Sequence, residues 1–455
     1  MKNNKIIFVQ GLGVIGSINA YCIAYKKKYF DVVGFESKNK IGKNIIKKIN
    51  SGFFPFNSSD KKLNFITKKV NKNNNLFVTN NYDSIKKKPD IIICSLALKY
   101  FKSASKQKKE IILFVNNFKK IVNKSKKNTL IIIQTSLPPG FSEKYLIPSA
   151  KQIFKKNNIK SDPIICYSYE RVTPGKNFAD SFLNMQRVYA GNSAKAEKLF
   201  CLFFSKIINV KKFPLLKLDN ITECEMAKII ENSYRSVNIA FINEWMNYSK
   251  NLKLNLNKVL NFIRLRPTHS NIRYPGLGVG GFCLTKDPLL AKYSSEKIFN
   301  FKKVKFPFSI SSTSINKKMI NHTIDLLKER FKNLNNKNIL LIGITYLSGT
   351  DDIRNSASIS LGNKLKKKYK CNIHFYDEFY NKEFKIYDKI QNINQTYFDA
   401  IIFCVKQSFS NKIFNLKIFD NAKIILDTNQ VLSKSNILKI GKKNIKKLSI
   451  IGNYN

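Results

Sequence analysis

Histidine and tryptophan are nearly missing from this chain: three and one among 455 residues. Three histidines leave little material for a histidine-based zinc site, so a metal centre is not expected. The eight cysteines (22, 94, 166, 201, 224, 283, 371 and 404) form no C-x-x-C, and most sit inside apolar runs. That spacing argues against a disulfide framework and for a reducing compartment, which makes the cytoplasm the expected location. Acidic residues are scarce too, 29 against 81 basic ones, for a formal net charge of +52. Arginine is scarcer still, with eight against 73 lysines. The lysines are spread along the whole length among Asn and Ile, as AT-rich codons would give, with no basic tail or aromatic-interleaved stripe. Nucleic acid is therefore not an expected partner, although an anionic substrate would be drawn in by such a field. No apolar run is long enough to span a bilayer, and membrane insertion is not expected. The basic, apolar start through Ala24 is interrupted by Gln10, Gly11 and Gly13 and reads as strand, turn and helix rather than a signal peptide.

What the chain does contain is two glycine-rich stretches of different character. The first is Gly11-Leu-Gly13-Val14-Ile15-Gly16, placed after the apolar run Lys5–Val9 and before a helical pattern through Ala24. A second apolar run, Val32–Phe35, ends in Glu36, twenty residues after Gly16. This is the dinucleotide-binding arrangement: pyrophosphate on a helix N-terminus, acid on a ribose hydroxyl. Glu36 would repel a 2′-phosphate, which favours NAD over NADP. The second stretch is Tyr274-Pro-Gly276-Leu-Gly278-Val-Gly280-Gly281-Phe-Cys283-Leu-Thr-Lys286-Asp287. Four glycines permit close wrapping of a ligand, and a thiol beside a cation and backbone N–H groups has the surroundings of a nucleophile.

Apolar strands are predicted at Asp90–Cys94, Thr129–Ile133 and Pro163–Cys166, completing a doubly wound sheet. The loops after the last two, Gln134–Gly140 and Tyr167–Gly175, put Ser136 and Glu170 where ligands sit in such sheets. A long helix follows from a cap at Asp219 to about Lys250, with Lys228 and Asn232 four apart on one face and Glu225 three before Lys228. Its apolar turns around Ile239–Trp245 predict burial between domains or subunits. Further strands at Asn338–Gly343, Cys371–Tyr376, Ala400–Cys404 and Lys423–Leu426 build a second α/β sheet. The expected fold is α/β, with two Rossmann-like domains joined by a helical middle. The expected domains are 1–212, binding NAD; 213–333, helical, with the cysteine loop and a dimer interface; and 334–455, binding a UDP-sugar.

In order along the chain, six pieces resemble the UDP-sugar 6-dehydrogenases, over nearly the whole length. They are Gly11-x-Gly-x-x-Gly16, Ser136-Leu-Pro-Pro-Gly140, Tyr169-Glu-Arg-Val-x-Pro-Gly175, Glu225-x-x-Lys228-x-x-Glu-Asn232 with its continuation to Glu244, the Gly–Cys283–Lys–Asp287 loop, and Asp352-x-Arg354-x-Ser356. The resemblance implies a four-electron oxidation of a UDP-sugar C6 hydroxyl to the uronate through a thiohemiacetal and a thioester, feeding surface polysaccharide synthesis. By matching position, Cys283 is the nucleophile, and Lys228 and Asn232 stabilise the oxyanion. Asp287 and Ser136 (usually Thr in the family) handle the water, and Glu170 assists hydrolysis as a base. Cofactor contacts are implied for Gly11, Gly13, Val14, Ile15, Gly16, Glu36, Ser95 and Lys286. Substrate contacts are implied for Arg171, Tyr274, Gly276, Gly278, Gly280, Gly281, Arg273 and Arg354, with NAD as cofactor and a homodimer as the assembly.

The sequence departs from the family at Ser95-Leu-Ala97, where a Pro-Thr-Pro-like loop is usual, and at Leu347, where a lysine is usual. Arg264, Arg266, His269 and Arg273 compete for the place of a family arginine that completes a neighbouring subunit's site. The Glu170-Arg-Val-x-Pro-Gly loop looks like the N-acetylhexosamine members, whereas Lys286 is often seen in glucose enzymes; a UDP-N-acetylhexosamine is favoured and UDP-glucose is next. Two rival readings stay open. A two-electron β-hydroxyacid dehydrogenase of the 6-phosphogluconate type would also place a Lys and an Asn four apart. A non-catalytic nucleotide-sugar binding protein would tolerate the changes at 95–97 and 347.

Overall fold

The computed structural model describes residues 4–377, 393, 397–407, 411–414 and 417–454. The chain divides into two compact units, each discontinuous in sequence: unit 1 is 1–231 with 289–305, and unit 2 is 232–288 with 306–455. Each is built on its own sheet.

Unit 1 carries eight strands: β1 (Lys5–Gln10), β2 (Phe30–Phe35), β3 (Leu76–Thr79), β4 (Ile91–Cys94), β5 (Leu130–Ile133), β6 (Ile164–Tyr167), β7 (Arg187–Gly191) and β8 (Leu215–Lys217). Their order is β3-β2-β1-β4-β5-β6-β7-β8. Every pairing within it is parallel except β6–β7, where Cys166 faces Gly191 and Tyr167 faces Ala190. The central strands are apolar throughout because helices cover both faces. Ile7, Val9, Ile93, Ile132 and Cys166 pack on one side, and Phe8, Ile92, Cys94, Ile133 and Tyr167 on the other. The strand order reverses at β1, running to β2 and β3 on one side and to β4 and β5 on the other, so β1 and β4 open a crevice at their C-terminal ends, the usual ligand position in such a sheet.

Unit 2 carries β9 (Asn338–Ile342), β10 (Asn372–Tyr376), β11 (Ala400–Phe403), β12 (Ile424–Asp427) and β13 (Leu448–Ile450), all parallel in the order β10-β9-β11-β12-β13. The predicted strands are present. Four others escaped the reading: β3, β7, β8 and β13, each three to five residues long and with polar or exposed members.

Two helices matter to the site. Helix α1 (Val14–Ala24) follows β1 directly. Helix α2 (Ile221–Asn251) is the long predicted one, and its residues up to Glu231 belong to unit 1. Its cap is Asn220, not Asp219: the Asn220 side chain accepts from Glu223 N at 2.9 Å, and the Glu223 carboxylate accepts from Asp219 N at 3.0 Å. This is a variant of the capping box, in which Glu223 reaches one residue past the cap to the backbone N–H of Asp219. Within unit 2, Ala240 and Ile242 are buried, but Tyr234, Phe241, Trp245 and Tyr248 are about half-exposed along one face of the helix. No helix among the described residues is long and apolar enough to cross a membrane.

Candidate active site

The glycine turn between β1 and α1 has the form the sequence predicts. Gly11 takes φ +81°, and a Cβ on Gly16 would lie 1.9 Å from the Gly11 carbonyl oxygen, so both positions are fixed by the turn itself. Gly13 differs: a Cβ there would meet nothing within 4 Å among the described residues beyond its chain neighbours. Gly13 is also the N-cap of α1 and offers no side-chain acceptor to the first-turn N–H groups of Val14 and Ile15. An open helix N-terminus of this kind suits a phosphate. Glu36 sits one residue past β2, its carboxylate accepting from Leu12 N at 2.6 Å and Ser37 N at 2.7 Å. It lines a cleft of about 620 Å³ with Gln10, Gly11, Lys38, Tyr82 and Lys120. Further along the rim, Ser95, Gln134 and Ser168 directly follow β4, β5 and β6 and continue the alternation on the side of Ile93, Ile132 and Cys166. The hydroxyls of Ser95 and Ser168 and both ends of the Gln134 amide are buried without a hydrogen-bond partner among the described residues. Such orphaned groups call for a polar ligand or water. Cradle, acidic residue and polar rim together fit NAD.

Three further members of the implied site belong to unit 1. Ser136 is half-buried in the loop after β5, where Tyr167 Oη donates to the Thr135 carbonyl at 2.6 Å. The far end of this loop is tied to α2 by Glu225. Its carboxylate accepts from Gly140 N (2.7 Å), Ser142 N (3.0 Å) and Ser142 Oγ (2.7 Å). Glu225 is fully buried, and desolvation pushes its pKa up to about 8 against the pull of those donors. Lys228 follows three residues on. Its ammonium donates to the backbone carbonyl of Glu170 at 2.8 Å and lies 5.4 Å over the Tyr169 ring. The Glu170 side chain turns away to Arg187 Nη1, 2.5 Å distant, in an ion pair only 6% and 4% exposed. This is the carboxylate that the resemblance implies as the hydrolytic base, and here it is ion-paired. Arg171 pairs with Glu231 and donates to Tyr169 Oη at 3.0 Å.

The remaining members are in unit 2. Six of the eight cysteines are buried and Cys201 is half-buried, but Cys283 is exposed. Its carbonyl accepts from Lys286 N at 3.1 Å and Asp287 N at 2.8 Å, so the chain turns sharply just after the thiol. Asp287 is wholly buried, with one carboxylate oxygen accepting from Asn232 Nδ2 at 2.7 Å and the other from Lys286 Nζ at 2.5 Å. Lys286, read above as a cofactor contact, is thus itself buried, on Asp287 and 4.9 Å from the Phe282 ring centre. The glycines of this loop answer to close neighbours. A Cβ on Gly276 would strike Asn429 at 2.1 Å; on Gly280 and Gly281, Tyr346 at 2.7 and 2.8 Å; on Gly278, Ala357 at 3.2 Å. Gly281 also donates to the Arg354 carbonyl at 2.9 Å, while the Arg354 guanidinium is gripped by both oxygens of Asp352. Tyr274 Oη donates to Asn261, and Arg264 stacks on its ring at 5.1 Å. Arg273 and Arg266 are exposed. Among the described residues no group of three His, Cys, Asp or Glu is placed to hold a metal ion.

Domain patterns of one family cover most of the chain: its NAD binding domain over residues 5–207, its central domain over 222–317 and its UDP binding domain over 340–434. The chain belongs to the UDP-glucose/GDP-mannose dehydrogenase family. As a member it is an NAD-dependent UDP-sugar dehydrogenase, and the cradle at Gly11–Gly16 lies in the family's NAD binding domain. Among curated family members, a UDP-N-acetyl-D-mannosamine dehydrogenase of Pyrococcus horikoshii is 29% identical over 381 residues, covering 82% of this chain and 83% of its own. Another, of Methanocaldococcus jannaschii, is 27% identical and covers 94% and 93%. Protein CapL of Staphylococcus aureus is 23% identical and covers 95% and 98%. The solved UDP-D-ManNAc dehydrogenase of P. horikoshii shares the fold, with a TM-score of 0.78 and 24% identity over 98% of this chain and 99% of that one. Arg187 and Glu225 are the structurally decisive residues that motif reading passed over as partners. One signal was there: Arg187 is one of eight arginines in a chain that otherwise uses lysine.

Proposed function

We propose that this dehydrogenase oxidises the C6 hydroxyl of a UDP-N-acetylhexosamine to the uronate, in two oxidations joined by a covalent intermediate on Cys283. The observation that carries the reading is an exposed thiol on the glycine loop, followed within one turn by the buried Asn232–Asp287–Lys286 network. NAD supplies the hydride acceptor for both oxidations. In the first, C6 loses a hydride and its hydroxyl a proton, leaving an aldehyde. The Cys283 thiolate adds to that carbon, and Lys228 and Asn232, one turn apart on α2, stabilise the resulting oxyanion. Loss of the second hydride leaves a thioester. Water oriented by Ser136 and Asp287, with Glu170 as the base that takes its proton, attacks it; the C–S bond breaks, and the thiolate departs from the carboxylic acid. The N-acetylhexosamine preference is supported by the Glu170-Arg-Val-x-Pro-Gly loop and by relatives named for UDP-N-acetyl-D-mannosamine and UDP-N-acetyl-D-glucosamine. UDP-glucose is the second candidate. Arg171, Tyr274, Arg273, Arg354 and the glycines 276–281 are proposed to hold the sugar nucleotide. The three-part division at 212/213 and 333/334, a cytoplasmic location and a role in surface polysaccharide synthesis belong to the same reading.

The test is the NADH yield on limiting UDP-N-acetylmannosamine, UDP-N-acetylglucosamine, UDP-N-acetylgalactosamine and UDP-glucose. Two NADH per sugar are expected, with no uronate from Cys283→Ala. One NADH per sugar, indifferent to Cys283, would establish a two-electron alcohol dehydrogenase instead. Tight binding without turnover would establish a binding protein. A homodimer is proposed through the exposed apolar face of α2, since Phe241, Trp245 and Tyr248 form a contiguous aromatic cluster there. Sedimentation should find a dimer, weakened at least tenfold by Trp245→Lys; a monomeric wild type would end that idea.

A further inference from the structure

The glycine loop at 274–281 is gripped differently at its two ends. Gly278, Gly280 and Gly281 lie against Ala357 and Tyr346, from the chain after β9. The entry, 274–277, rests on three other pieces of unit 2: helix α3 (Leu256–Ile263), the turn after β12 and the turn after β13. Asn429, two residues past β12, is the first support. Its Oδ1 accepts from Leu277 N at 3.0 Å, and its Nδ2 donates to the Cys404 carbonyl at 2.5 Å. One amide thus ties the loop to the end of β11. The next residue, Gln430, donates from Nε2 to Asn257 Oδ1 at 2.8 Å. Asn257, on α3, donates in turn from Nδ2 to the Ile451 carbonyl at 2.9 Å and from its backbone N to the Gly452 carbonyl at 3.1 Å. Gly452 is required twice over: its φ is +86°, and a Cβ would lie 2.7 Å from Pro275 Cγ. The turn at 451–452 is therefore a seat for Pro275. Its floor is apolar, since buried Ile451 packs with Ile242, Met246, Leu256 and Leu260, and Tyr274 leans on the same cluster.

We propose that Asn429 and Asn257, with the turn at Gly452, are positioning residues that hold the entry of the glycine loop in its binding conformation before the sugar nucleotide arrives. The assignment rests on the reading above in which glycines 276–281 hold that substrate. Its physical basis is preorganisation. Glycine loses more conformational freedom on ordering than any other residue, so a glycine loop that froze only on binding would weaken affinity. Amides that order it in the resting protein remove that cost. The entry of the loop is then a fixed wall, and substrate affinity depends on residues outside the loop.

The experiment joins hydrogen exchange to binding in wild type, Asn429→Ala and Asn257→Ala. Exchange is read at single amides by mass spectrometry. Affinity is read by isothermal titration of UDP-N-acetylglucosamine in the presence of NADH, which cannot accept a hydride. In resting wild type the Leu277 amide should already be protected about 100-fold or more, and ligand should add little. Asn429→Ala should lose that protection and weaken binding about tenfold. Asn257→Ala keeps the Leu277 bond but loosens the seat of Pro275, and should weaken binding about threefold. KM for the sugar that wild type oxidises should rise in the same proportions, with kcat within about twofold of wild type. A general loss of folding would instead lower the active fraction and leave KM alone. A Leu277 amide that exchanges freely in the resting enzyme and slows only with ligand would overturn the proposal and make the loop a lid. Asn429→Ala that loses the protection yet binds as tightly as wild type would overturn it as well. Should Asn429→Ala fail to fold, the wild-type exchange and Asn257→Ala decide by the same readouts. Failure of the substrate reading is separable: ligand would bind wild type without slowing exchange at Gly278, Val279 and Gly280, while Leu277 would still report the anchoring.

Discussion

Two glutamates of unit 1, Glu170 and Glu225, are both withdrawn from water, and they are satisfied by opposite means. Glu170 faces a guanidinium that is itself buried, so charge meets charge and the pair is neutral as a unit. Glu225 meets only dipoles: two backbone N–H groups and one hydroxyl. The first arrangement fixes geometry but leaves a full charge behind when either partner is lost. The second leaves the proton equilibrium open, and burial tips it toward the neutral acid near physiological pH. Glu170 is therefore held by charge, whereas Glu225 is held by dipoles and ties the Ser136–Gly140 loop to the helix that carries Lys228.

The largest effect that would break this contrast is Arg187→Met. Removing the cation strands the Glu170 carboxylate, and denaturant unfolding should show a loss of about 3–5 kcal/mol. A loss no greater than that of an ordinary surface change would mean that Glu170 reaches water when freed. Glu225→Ala comes next, at about 2–3 kcal/mol, because the donors at Gly140 and Ser142 are left buried without an acceptor. Glu225→Gln should be mildest, and its sign depends on pH. The folded pKa of about 8 lies above the unfolded value near 4.3, so between them the native state holds one more proton than the unfolded chain. The stability Glu225 contributes is full below about pH 4, declines as pH rises by up to about 1.4 kcal/mol per unit, and is gone above about pH 8. Glutamine cannot ionise and lacks this slope. The melting temperature of Glu225→Gln should gain on wild type from pH 6 to pH 9, and parallel curves would show that Glu225 titrates normally.

How much of this was legible in the sequence follows the range of the interactions. The cradle at Gly11–Gly16 is written locally: strand, turn and helix lie within twenty residues and dictate their own glycines. Nine of the thirteen described strands are legible as largely apolar runs, and Lys228 and Asn232 by helical spacing. Arg187 could not be placed because its partner lies seventeen residues away in sequence, on a register set by a short, partly polar strand that carries no alternation signal. For the same reason the Cys283 loop showed its glycines but not their cause, which is Tyr346, Ala357 and Asn429 from far along the chain. Asp219 has the residue type of a cap and stands at the start of the helical pattern. The neighbouring Asn220 wins by pairing reciprocally with Glu223.

One position in the first glycine turn stands apart from all of these. The space beside Gly13 is empty, and its backbone angles, φ −61° and ψ −167°, are open to any residue. The fold has no stake in that glycine. A methyl group added there would meet no other described residue within 4 Å beyond its chain neighbours, and would be felt by a ligand docked against the start of α1. Position 13 thus separates two pressures that are usually entangled in a protein sequence, the demand to fold and the demand to bind, because packing within the described structure places no demand on it.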